Sequence, residues 1–107
     1  MNPDDVIYRG KYIWHRPKNE KNKRDHDGLS FEEGIEAFDD PFAVEEYDTD
    51  NSVTEDRYNI TGKVDSRWLV VTVTWSPRGE LIRVISAREA DPIEKEAYNE
   101  NVRNSIG

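Results

Sequence analysis

Cysteine is absent from the 107 residues, which excludes disulfides, thiolate metal sites and cysteine nucleophiles while leaving the cellular compartment open. Long apolar runs are missing too: the longest uninterrupted one is Trp68 to Val71, far short of the roughly 20 residues a membrane helix needs. The opening MNPDDVIYRGK has no apolar stretch of the kind that drives export. The expectation is a cytoplasmic protein with no membrane segment. Hydrophobic residues make up 35% of the chain and charged residues 36%, so one modest core must carry a large solvated surface. Three Trp, three Phe and five Tyr help, because each aromatic side chain buries a large area.

Positive charge is missing locally. Residues 29–56 contain no Lys or Arg and carry a net −11, whereas residues 1–28 carry +2, residues 57–90 carry +3 and residues 91–107 carry −2, for −8 in all. The two positive segments can meet on one basic surface while the acidic middle faces elsewhere, so the overall acidity does not exclude a polyanionic ligand.

Metal and nucleotide motifs are incomplete. The loop Asp48-Thr49-Asp50-Asn51-Ser52 starts like a calcium loop, but Val53 stands at the required Gly position and Asn59 at the position of the bidentate Glu. His15 and His26 are too far apart for an HExxH zinc site, and Thr61-Gly62-Lys63-Val64 lacks the glycine and hydroxyl context of a P-loop. No metal and no cofactor is expected.

The chain reads as one domain over 11–103, with 1–10 a loose lead-in and 104–107 a tail. Lys11 to Trp14 (KYIW) is a short strand by its aromatic and β-branched content. Pro17 opens a very polar helix that ends before Asp27-Gly28. Ser30-Phe31-Glu32-Glu33 is a capping box, followed by Phe31, Ile35 and Phe38 at helical spacing until Asp39-Asp40-Pro41. Phe42 to Tyr47 alternates, and so does Arg57 to Lys63, with Arg57, Asn59 and Thr61 on one face and Tyr58 and Ile60 on the other. Trp68 to Trp75 is apolar on both faces and therefore central, Ser76 to Glu80 is a turn, and Leu81 to Ala87 completes a hairpin. Asp91-Pro92-Ile93-Glu94 caps a last helix running to Arg103. The order β-α-α-β-β-β-β-α predicts an α+β fold, a mostly antiparallel sheet with helices packed against it.

The succession Ile13-Trp14, Lys18, Asn22, His26, Gly28, Leu29-Ser30-Phe31-Glu32-Glu33, Phe38-Asp39-Asp40-Pro41, Arg57-Tyr58, Gly62, Arg78-Gly79 and Arg83-Val84-Ile85-Ser86-Ala87-Arg88-Glu89-Ala90, then Glu94 and Tyr98, resembles the BrnT family. The similarity runs from about Tyr12 to Tyr98, with Gly34 standing where Ala is usual. It implies a compact RelE-like domain, ribonuclease activity that arrests growth as the toxin half of a bacterial type II toxin-antitoxin pair, and neutralisation by a ribbon-helix-helix antitoxin, BrnA, through which alone DNA is bound.

Metal-independent RNA cleavage must deprotonate a ribose 2′-hydroxyl, stabilise the charge on phosphorus and protonate the leaving oxygen. By their match to the family's arginines, Arg57, Arg78 and Arg88 are the candidates for holding the phosphate, since a guanidinium is permanently charged and its fork fits phosphate oxygens. Arg83 is a weaker candidate. Strict alternation puts Arg83 and Arg88 on opposite faces, so both can serve only if a bulge intervenes or Arg88 lies past the strand, and Arg88 has a bland alternative, an ion pair with Glu94 or Asp91. His26 can act as acid or base or simply cap a helix end. Lys18 can position RNA or lie on a solvated face, Trp75 can stack on a base or fill the core, and Glu55 is a possible general base near Arg57. A ribonuclease toxin that binds RNA and an antitoxin is the leading reading. The alternative is a catalytically inactive interaction module that uses the acidic middle segment.

Overall fold

The computed structural model describes residues 2–106. Six strands form one sheet in the order β1-β2-β6-β5-β4-β3, with every neighbouring pair antiparallel except β2 and β6. They are β1 (Val6–Arg9), β2 (Tyr12–His15), β3 (Val44–Tyr47), β4 (Tyr58–Val64), β5 (Leu69–Arg78) and β6 (Leu81–Glu89). Helices α1 (Arg16–Asp25) and α2 (Phe31–Gly34) follow β2, and α3 (Pro92–Ile106) follows β6. The α+β class and the mostly antiparallel sheet agree with the sequence reading.

Part of the expected lead-in is ordered structure. Residues 6–9 form β1, which pairs with β2 across a turn at Gly10, where φ is +57°. The four residues VIYR follow a polar PDD turn and are too short to stand out from a loop in composition. Met1 and Gly107 lie outside the described residues. At the other end α3 continues through Ile106, into the stretch read as a tail. The turn expected over Ser76 to Glu80 is tighter, because β5 runs on to Arg78 and Gly79 takes a left-handed φ of +58°.

The core lies between one sheet face and α1–α2. Trp14, Leu29, Phe31, Val64, Val71, Val73, Val84 and Ala87 are buried there, with Trp14 and Phe31 meeting edge to face at 6.0 Å. The capping box forms as expected, with Glu33 N donating to Ser30 Oγ and the Glu33 carboxylate accepting from Ser30 N. The helix it starts lasts only one turn and tightens into a 3-10 segment, Ile35–Asp39. This winding brings the Ala37 backbone so close to β4 that a Cβ on Gly62 would sit 2.7 Å from Ala37 O. Gly34 has a similar cause, since a Cβ there would meet the Ala87 Cβ at 3.0 Å.

Two polar side chains pin the layers together. Buried Asn22 of α1 donates to Leu29 O and Ala87 O and accepts from Ala87 N, so helix and sheet share backbone groups that would otherwise be unpaired. Asp40 accepts from Phe42 N, Lys63 N and the Tyr98 hydroxyl. It thereby ties α3 to β4, and α3 packs beside Asn59 and Thr61, the side chains that alternate away from α2.

Candidate active site

On the face away from α1 and α2 the sheet is polar. Thr61 and Thr72 share a hydrogen bond of 2.7 Å, and Thr74 donates to Asn59 Oδ1 at 2.6 Å. Pairing in the β5–β6 ladder skips one residue: Thr74 faces Ser86 but Trp75 faces Val84, leaving Ile85 as a bulge. The slip turns Arg83 and Arg88, which regular alternation would separate, to the same face. Ser76 stands opposite Arg83 and Thr72 opposite Arg88.

Three of the arginines then converge on one carboxylate. Glu55 hydrogen-bonds to Arg83 and lies 3.5 Å from Arg57 Nη2 and 3.8 Å from Arg78 Nη2. Arg57 comes from the residue before β4, Arg78 from the end of β5 and Arg83 from β6, so three adjacent strands supply the guanidiniums. The loop that brings Glu55 is fastened at its base by Ser52, whose hydroxyl donates to Asp48 O and accepts from Arg57 N. Arg83 is the most enclosed of the three, its side chain 19% exposed against 31% for Arg57 and 51% for Arg78. Burial, with the nearby Arg78 and Arg57 charges, pulls the Arg83 pKa below its ordinary value although Glu55 opposes this.

Among the described residues the buried side-chain atoms without a hydrogen-bond partner are Arg57 Nε, Arg83 Nε, Trp75 Nε1 and Ser76 Oγ. All four belong to this corner of the sheet or to residues adjoining it. Buried donors left unpaired are costly, and three guanidiniums around one carboxylate leave an excess of two positive charges. The arrangement can take a further anion.

Arg88 is placed differently. Its fork holds Glu94 in a bidentate contact of 2.7 and 3.0 Å, and Glu94 also accepts from Asp91 N. That is the ion pair named as the alternative for this residue, and Glu55 is not among its partners. Trp75 stacks on Tyr58 at 4.9 Å and meets Phe38 edge-on at 6.0 Å, so its ring lies against the core. His26 is the C-cap residue of α1. Lys18, in the first turn of α1, lines a cleft with Arg78 and Arg83. Ser76 was not among the residues singled out from sequence, since a Ser in a Ser-Pro pair reads as a turn.

A family model described as the ribonuclease toxin, BrnT, of type II toxin-antitoxin systems matches residues 14–94. The chain belongs to the BrnT family. A BrnT protein is one half of a type II pair, so an antitoxin partner is implied by membership. None of the curated proteins matches the chain. The matched span contains Arg57, Arg78, Arg83 and Arg88, together with Glu55 and the bulge at Ile85. No helix among the described residues is long and apolar enough to cross a membrane.

Proposed function

We propose that this BrnT protein is a metal-independent endoribonuclease whose centre is the Arg57, Arg78 and Arg83 cluster around Glu55. The observation that carries the reading is the convergence of three guanidiniums on a single carboxylate, with buried donors still unpaired. A scissile phosphate entering the cluster finds fixed charge and forked donors in place, so the extra negative charge of a five-coordinate phosphorus is stabilised without rearrangement. Glu55 takes the proton of the ribose 2′-hydroxyl as that oxygen attacks phosphorus. The bond to the 5′ oxygen breaks, the leaving oxygen gains a proton from water, and the products carry a 2′,3′-cyclic phosphate and a 5′-hydroxyl. These tasks need no cation beyond the guanidiniums. Arg88, occupied by Glu94, anchors the start of α3 to β6.

A BrnA-like ribbon-helix-helix antitoxin would neutralise the enzyme by covering the arginine face, and DNA would be reached only through that partner. The toxin would act in the cytoplasm, where cleavage of cellular RNA arrests growth. Induction of the chain from a tightly repressed promoter in a bacterium, beside Glu55→Gln, tests the reading. Growth arrest with RNA fragments ending in 2′,3′-cyclic phosphate is expected for the parent alone. Normal growth with soluble, folded parent protein would overturn it and favour an interaction module.

A further inference from the structure

We infer that the cleft beside the arginine cluster is a binding site for one unpaired nucleobase next to the scissile phosphate. The inference rests on the ribonuclease reading above and specifies its substrate as single-stranded RNA.

The cleft exists because two strands part. Strands β2 and β6 pair only at Tyr12–Ile82 and Ile13–Arg83, and directly beyond that point the Ile85 bulge bends β6. The gap that opens measures about 250 Å³ and is walled by Val6, Ile13, Trp14, Val84 and Ile85, with His15 and Lys18 at its edge. Arg78 and Arg83 line it as well, and both also reach Glu55. The two guanidiniums therefore form the boundary between an anion site and an apolar slot.

A nucleotide has this same division, a charged phosphate joined to a flat base with apolar faces and a polar rim. Aliphatic walls accept the faces, while His15 and Lys18 offer polar atoms to the rim. The volume of about 250 Å³ lies just below the roughly 300–1,000 Å³ of pockets for drug-sized ligands and is room enough for a nucleobase. A base can enter such a slot only when it is splayed out of a helix, so paired RNA is excluded. Positive charge at the boundary argues against an apolar side chain of a protein partner as the natural occupant, since such a side chain would leave the positive charge in excess of Glu55 uncompensated.

The test compares the parent with Ile85→Trp and, separately, Ile13→Phe, each filling the slot from a different strand, with circular dichroism to confirm folding. The substrate is a single-stranded RNA pool randomised around a cleavable position, read by sequencing the cleaved ends. A second substrate carries an abasic nucleotide on either side of the preferred phosphate. The parent is expected to prefer one base at a fixed position and to lose about 10- to 100-fold in rate on the abasic RNA, the size of a lost base contact. Folded filled variants should cleave slowly and with the preference flattened. Equal cleavage of abasic and normal RNA, or an unchanged preference in both filled variants, would overturn the base site and leave the ribonuclease reading standing. Absence of cleavage by the folded parent would instead remove the reading beneath it. Filled variants that cleave normally but no longer bind a co-expressed protein would mean that the slot serves a partner, again overturning the inference.

Discussion

Two arginine–glutamate groups in this protein are built in opposite ways, one around Arg67 and Glu33 and one around Glu55. Around Arg67 every guanidinium nitrogen has an acceptor: Nε and Nη2 hold the two oxygens of Glu33, while Nη1 and Nη2 reach Asp27 O and Gly28 O. Glu33 is itself the closing member of the capping box, so one ion pair fixes the start of α2 and the end of the loop before it. Around Glu55, three arginines share a single carboxylate and two of their Nε atoms are buried without partners. The hydrogen bond to Glu33 raises the Arg67 pKa, whereas burial lowers that of Arg83. A satisfied cluster stabilises a fold. Three guanidiniums around one carboxylate, with buried donors unpaired, make a candidate for binding an anion from outside.

The contrast can be broken most forcefully at Arg83. Arg83→Ala should lower RNA cleavage by about 10²–10³-fold, the usual effect of removing one preorganised donor to a developing anion. Its melting temperature should hold or rise, because a buried charge beside two like charges is removed. Steady-state cleavage and thermal melts on the same preparation check both halves. Arg67→Ala should do the reverse, lowering the melting temperature with cleavage unchanged. Arg88→Ala sharpens the comparison from the same strand: loss of its half-exposed pair with Glu94 should cost about 1 kcal/mol in a denaturant titration and keep cleavage within about tenfold of the parent.

The smallest effect lies in acid. The Arg67 hydrogen bond holds the Glu33 carboxyl below its ordinary range. Burial acts the other way on Glu94 and Asp40, but the Arg88 fork outweighs it at Glu94, and the Tyr98 hydroxyl with two backbone N–H groups outweighs it at Asp40. A lowered folded-state pKa stabilises the protein above the ordinary carboxyl value of about 4. That stability is lost as pH falls through the lower folded values. Melting temperature measured from neutral pH into acid should be flat above this range and fall below it, less steeply in Glu33→Gln.

Much of the frame was legible in the sequence because local rules wrote it. The capping box at Ser30 and Glu33, the alternation in β4 and the doubly apolar β5 each need only a few neighbouring residues to be read. β1 escaped because four residues after a polar turn carry too little pattern. The site was legible only by residue type. Arg57, Arg78 and Arg83 were named, but their meeting at Glu55 depends on a loop contact with no spacing rule, and the shared face of Arg83 and Arg88 depends on a bulge at Ile85 that alternation alone cannot locate. Arg88 illustrates the limit from the other side: its partner Glu94, six residues on, was visible in the sequence, whereas which of its two roles it would take was a matter of tertiary placement.

Single-turnover cleavage of a single-stranded RNA, in the presence of a metal chelator, by the parent, Arg57→Ala/Arg83→Ala and Arg67→Ala proteins tests the central claim most directly. Cleavage by the parent and Arg67→Ala, with none by the folded double variant, is the predicted result. Cleavage by the double variant at the parental rate would contradict the assignment of the unsatisfied cluster as the catalytic centre.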